Sequence, residues 1–156
     1  MSETDFRARA ALDEGVQVIA FRMGGELHAC DILLVQEVVT KTAVHPLPDM
    51  PEHLLGVVRL RGELVPVVDV APLLELALER ARTPAILITE VAGARVGVAA
   101  EAVHEVMTVP AGSIRPAPGA GGYVAGVARI GAQLVNLIDL AELLRDQATL
   151  SHGDKT

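Results

Sequence analysis

GVVRLRGELVPVVDVAPLL (56–74) and GVARIGAQLVNLIDLAELL (126–144) are the two stretches that decide the fold. Gly126 follows Gly56 by 70 residues, and at that constant offset nine of the nineteen positions are identical. The identities are Gly56, Val57, Arg59, Leu64, Val65, Asp69, Ala71, Leu73 and Leu74 with their partners, and most other positions exchange Leu, Ile and Val. Composition alone does not place Gly, Arg and Asp in register, so the chain carries an internal repeat. A fainter match precedes each copy: FRMGGELHACDILLVQEVVT (21–40) aligns with TEVAGARVGVAAEAVHEVMT (89–108), sharing Gly25/Gly93, Val35/Val103, Glu37/Glu105, Val38/Val106 and Thr40/Thr108.

Each copy reads as mostly β. VQVIAF (16–21) and ELHA flank the Gly24-Gly25 turn, and LLGVVRL and ELVPVVD flank Arg61-Gly62. In the second copy AILITEV, ARVGVAA, YVAGVARI and QLVNLID repeat that order. Strands this short and closely spaced predict two small barrels, with units at about 15–75 and 84–146 inside one domain over 15–146. Pro66 falls inside a strand pattern and so predicts an edge or a bulge. Asp69 and Asp139 each precede a brief helical pattern, VAPLLEL and LAELLRD, where a carboxylate can accept hydrogen bonds from the first free amides of a helix. Residues 1–14 and 147–156 read as polar tails, RPAPGAGG (115–122) as a loop, and ELALERARTP as a short link between the copies.

Composition narrows the function. The 156 residues are 51% hydrophobic but 2% aromatic, with one Tyr, two Phe and no Trp, so the core must be aliphatic and offers no stacking platform for bases or sugars. A net charge of −7 argues against nucleic acid and anionic membranes. No apolar stretch reaches membrane-spanning length, and the opening MSETDFRARA is not a secretory signal, so the chain reads as cytoplasmic. Cys30, the single cysteine, sits among apolar neighbours as a small buried hydrophobe.

The chemistry of an enzyme is missing from the sequence. There is no phosphate-cradling loop, no dinucleotide fingerprint and no nucleophile elbow around Ser113 or Ser151. His28, His45, His53, His104 and His152 lack metal-ligand spacing, and His28 and His104 are expected on strand or helix surfaces. No metal and no cofactor are expected. A binding module is left, and the repeat divides scaffold from recognition. Residues present in both copies, such as Arg59/Arg129 and Asp69/Asp139, read as structural, whereas Arg61, matched by Gly131, is the odd one out.

DILLVQEVV (31–39) followed by LLGVVRLRGELVPVVDV (54–70) resembles the CheW family of bacterial chemotaxis coupling proteins. RVGVAAEAVHEVM, IRPAP and YVAGVARIGAQLVNLIDLAELL extend the resemblance over roughly residues 15–146. It implies a mainly β fold, two small five-stranded SH3-like β-barrels related by a pseudo-twofold with short helices. It also implies a non-catalytic adaptor, cytoplasmic and recruited to inner-membrane receptor arrays. Its implied partners are the cytoplasmic tip of methyl-accepting chemoreceptors, the regulatory domain of the histidine kinase CheA and, in rings, other CheW-like proteins. Carried over residue by residue, Val35, Glu37, Gly56 and Arg61 fall on the family's receptor-contacting region, with Val103 and Val106 on its other wall. The kinase-binding residues are not assigned by the resemblance. Arg59 departs from the family pattern, which usually has Asn there. Two alternatives stand beside the chemotaxis adaptor: a CheW-like scaffold of a pilus, biofilm or developmental pathway, and a small-ligand-binding double barrel. Glu37, set among Val35, Val38 and Val39, is expected to pair with Arg61.

Overall fold

The computed structural model describes residues 15–51, 53–74, 85–116 and 123–145. The expected tails, the link at 75–84, most of the RPAPGAGG loop and His152 lie outside the described residues. Among the described residues eleven strands follow one another: β1 (Val16–Met23), β2 (Glu26–Asp31), β3 (Val35–Val39), β4 (Leu54–Leu60), β5 (Glu63–Val68), β6 (Ala85–Val91), β7 (Ala94–Ala100), β8 (Ala102–Val109), β9 (Ile114–Arg115), β10 (Val124–Ile130) and β11 (Gln133–Ile138). The alternation at 16–21, 54–60, 63–69, 85–91, 94–100 and 123–139 located its strands to within two residues. VQEVV (35–39) and AVHEVMTV (102–109) do not alternate cleanly, and their strands become apparent only in the fold.

The strands form a six-stranded sheet in the order β8-β1-β2-β11-β10-β9 and a five-stranded sheet in the order β3-β6-β7-β5-β4. Each contains a parallel junction. In the first, β11 lies parallel to β2 with Asn136 opposite His28; in the second, β5 lies parallel to β7 with Val67 opposite Gly97. This corrects the expectation that residues 15–75 and 84–146 each close their own unit. The first hairpin of one copy docks on the second hairpin of the other, in both directions. The compact units follow the exchange: of the described residues, one holds 15–20, Leu27–Ile32 and those from Glu105 to 145, the other Phe21–Glu26 and those from Leu33 to His104. The physical reason is that both copies present the same alternating edge. Pairing within a copy and between copies therefore buries equivalent faces, and the pattern alone cannot choose.

The structure also lengthens the repeat. His45 forms an isolated bridge to Val57, and Arg115 of β9 pairs with Val127. His45 and Arg115 differ by the same 70 residues, so the bridge is the first copy's version of β9. Asp69 N donates to His53 O at 2.7 Å, and Asp139 N donates to Tyr123 O at 2.7 Å, again one offset apart.

The core is aliphatic, as the composition requires. Val58, Val65, Val67, Ile86, Ile88 and Ala99 form the buried cluster of the five-stranded unit. Val18, Ala20, Ala128, Val135 and Leu137, many of them repeat partners of those residues, sit in the cluster of the six-stranded unit. Cys30 is fully buried, and burial pushes its thiol up to about 12.

Pro66 lies within an interior strand, not at an edge, and the ladder explains how. Val57 donates to His45 O at 2.9 Å and accepts from His45 N at 2.8 Å. Both of its backbone groups therefore point away from β5, and the Val57–Pro66 pair asks for no amide from the proline. Pairing of β5 with β7 begins only at Val67.

Candidate functional site

Arg61 and Gly62 form the two-residue turn between β4 and β5, and both have positive φ, 52° and 81°. That sign pair belongs to a type I′ hairpin turn, which suits the strand twist but asks a non-glycine residue to sit in the left-handed region. In the second copy Gly131 has φ 63° while Ala132 is absent from the positive-φ residues, so the glycine has moved one place and the turn changes hand at its second residue. Arg61 is the one-copy residue singled out from the sequence, and it occupies a position where glycine would be easier to place.

The Arg61 side chain reaches Glu37 on β3, with Nη2 2.6 Å from Oε1. Because β3 and β4 are the two ends of the five-stranded order, this ion pair spans the edges of one sheet. Arg61 is 66% exposed and Glu37 28%, so solvent screens the pair and it contributes at most about 1 kcal/mol to stability. The six-stranded unit has no such clasp: Glu105, the counterpart of Glu37, is exposed, and Gly131 replaces the arginine.

The other expected receptor residues are placed unequally. Val35 and Val103 are half-buried; Val35 lies on β3 of the five-stranded sheet with Glu37, whereas Val103 lies on β8 of the six-stranded sheet. Val106 is 51% exposed and falls in the six-stranded unit. Gly56 is buried with φ 153°, and a Cβ there would come 2.4 Å from His45 O. Its repeat partner Gly126 is crowded the same way, with Arg115 O at 2.9 Å. The demand for glycine at both sites comes from the approaching strand, so a packing role accounts for Gly56 without any partner.

The two aspartates act on their own backbone. Asp69 Oδ1 accepts from Ala71 N at 3.0 Å at the start of a 3₁₀ turn, Ala71–Leu74. Asp139 Oδ1 accepts from Glu142 N at 3.2 Å, and its carbonyl accepts from Leu143 N, at the start of the helix over 140–145. His104 is exposed, but His28 is buried on β2, correcting its expected surface position: residues 27–31 of that strand are covered on both faces. Among the described residues no cluster of His, Cys, Asp and Glu could hold a metal ion, and no helix is long and apolar enough to cross a membrane.

A feature that the sequence reading assigned wrongly appears on the outer faces. Arg59 pairs with Leu64 across β4–β5, and Arg129 with Leu134 across β10–β11. Leu64 and Leu134 are each 58% exposed, on the face opposite buried Val65 and Val135. Among the described residues Arg22, Arg61, Arg95 and Arg145 each engage a neighbour, whereas Arg59, Arg115 and Arg129 engage none. Repetition had marked Arg59 and Arg129 as scaffold; instead they are exposed and unpaired. The signal lay in the parity. An apolar residue one step out of phase with the buried valines, kept in both copies, marks a face held open to solvent for another purpose. On the six-stranded unit this face is an open depression of about 590 Å³ lined by Ser113, Arg115, Pro116, Val127, Arg129 and Leu134.

Known proteins resemble the chain over nearly its whole length. The CheW-like domain family matches residues 17–148. The chain is 30% identical over 139 residues to the chemotaxis protein CheW of Rhizobium meliloti, covering 85% of this chain and 90% of that one. It is 30% identical over 118 residues to the FrzA protein of Myxococcus xanthus, covering 71% and 74%. The crystal structure of the scaffolding protein TtCheW from Thermoanaerobacter tengcongensis superposes with a TM-score of 0.70 at 29% identity, over 80% of this chain and 88% of that one. This likeness fits two SH3-like β units, as the two sheets do. Repeat, fold and matched length agree, and the chain belongs to the CheW-like domain family.

Proposed function

We propose that the protein is a non-catalytic adaptor that couples the cytoplasmic tip of methyl-accepting chemoreceptors to the regulatory domain of a CheA-type histidine kinase, within arrays at the inner membrane. The observation that carries this reading is the repeated outer face. A bridging protein needs more than one docking surface, and the arginine–leucine face occurs twice, once on each compact unit. Family membership supports the same reading, since its named relatives are chemotaxis and scaffolding proteins.

The kinase regulatory domain and neighbouring CheW-like proteins would occupy these faces. The receptor tip would contact the region of Glu37 and Arg61 with Val35 beside Glu37 on β3, and Val103 and Val106 on β8 are proposed as further receptor contacts. Gly56 supports that region from within. Burying a Leu or Val side chain is worth roughly 1.5–3 kcal/mol. A few such residues, less the ordering cost, give weak single contacts that an array strengthens through multivalency.

Calorimetric titration of the full chain with purified kinase regulatory domain, and separately with a receptor-tip helical hairpin, tests the reading. Saturable 1:1 binding of each, and of both together, is expected. Failure of both partners to bind would overturn it.

A further inference from the structure

We infer that the depression on the six-stranded unit is a recognition site for a carboxylate on a protein partner, an Asp or Glu flanked by an aliphatic side chain. The inference rests on the adaptor reading above and specifies the chemistry of one docking face.

Three observations lead there. The chain carries −7, and its other described arginines have found neighbours. Two of the three that have not, Arg115 and Arg129, line the same depression. In a protein with surplus carboxylates, two adjacent cations left without one are held for an external anion.

The strand register sets their spacing. Arg115 lies opposite Val127, and Arg129 is two residues further along β10 on the same face. Diagonal positions across an antiparallel pair are about 7–8 Å apart, so two guanidinium groups can close on one carboxylate from either side. Binding it also relieves the repulsion between them. Val127, Leu134 and Pro116 supply apolar contact beside the charges.

The occupant is a protein and not a polyanion. The face carries Leu134 at 58% exposure, the chain as a whole carries a net charge of −7, and no aromatic residue is among those lining the depression to stack a base. The equivalent face of the five-stranded unit has His45 where this one has Arg115, so the stronger carboxylate preference belongs to the six-stranded unit. Arg59 and Arg129 stand in both copies, but only the second copy adds a second permanent cation beside its arginine.

The test uses the full chain, isotope-labelled for NMR, and three probes: the peptide Ac-Asp-Leu-Glu-Leu-NH2, its neutral counterpart Ac-Asn-Leu-Gln-Leu-NH2, and inorganic phosphate. The acidic peptide is expected to shift the amides of Val127, Arg129 and Leu134 saturably, with at least about fivefold tighter binding than the neutral peptide. The double variant Arg115→Gln with Arg129→Gln should remove that preference while leaving the remaining spectrum unchanged, since both side chains are exposed. Equal binding of the two peptides would overturn the inference, as would phosphate shifting the same amides at the same concentration, or no response at all. Titrating the double variant with the kinase regulatory domain separates the two levels. Unchanged kinase affinity together with an unchanged peptide preference would sink the carboxylate site and leave the adaptor reading standing.

Discussion

Arg61 Nη2 lies 2.6 Å from Glu37 Oε1 and so ties the tip of the β4–β5 hairpin to β3, the opposite edge of the same five-stranded sheet. The arginine holds this contact from a left-handed backbone position, φ 52°, that a glycine would occupy with less strain. Two small terms therefore oppose each other. The screened pair contributes at most about 1 kcal/mol, and the backbone cost is of order 1 kcal/mol or slightly more. Arg61→Gly should thus leave urea stability within about 1 kcal/mol of the parent, or raise it, while weakening receptor-tip binding. Arg61→Val should destabilise by about 1–2 kcal/mol, because a β-branched residue fits that φ poorly. A large loss in Arg61→Gly would mean that the clasp, and not recognition, keeps the arginine.

Gly56 and Gly126 can be ranked. Both face an approaching strand, but only Gly56 combines a positive φ with a backbone oxygen 2.4 Å from the added Cβ. Gly56→Ala should cost about 3 kcal/mol or more, and Gly126→Ala visibly less, by chemical denaturation of each variant. The reverse order would show that the His45 segment yields more readily than β9.

Strand positions, turn residues and the aliphatic core were legible because period-2 alternation and glycine turns are local signals. The exchange of hairpins was not, since Val65 and Val135 present equivalent inward faces and either copy could pair with either. The helix-capping aspartates could be placed from sequence, as each precedes its own short helical pattern. Arg59 was misread for an instructive reason: repetition shows that a residue is wanted in both copies, without showing whether the fold or a partner wants it. The exposed parity of Leu64 beside it was the clue.

Cys30 predicts an alkaline signature. Its thiol has an ordinary value of 9.0 and is raised by burial to about 12. Between those values the unfolded chain releases the proton while the native state keeps it. Stability from this group is therefore full below pH 9, falls as pH rises from there, and levels off near 12, with a limiting slope of about 1.4 kcal/mol per pH unit. Urea melts of the parent and Cys30→Ala from pH 8 to 10.5 should show the parent losing more. Native Cys30 should also resist iodoacetamide at pH 8.5. Parallel pH profiles, or rapid alkylation without unfolding, would contradict the burial.

Leu64 and Leu134 should be cheap to change in the isolated protein. Each is 58% exposed, so Leu64→Ser and Leu134→Ser are expected to alter urea stability by no more than about 1 kcal/mol. Losses of 2–5 kcal/mol, the range for buried leucines, would place these side chains in a core and remove them from any docking face.

The central claim is that two equivalent faces make this protein a bridge. Sedimentation velocity of the full chain mixed with the kinase regulatory domain tests it most directly, comparing the parent with Leu64→Glu, Leu134→Glu and the double variant. The account predicts higher-order co-assemblies for the parent, complexes that stop at small size for each single variant, and no co-sedimentation for the double variant. Co-assembly of the double variant indistinguishable from the parent would contradict it.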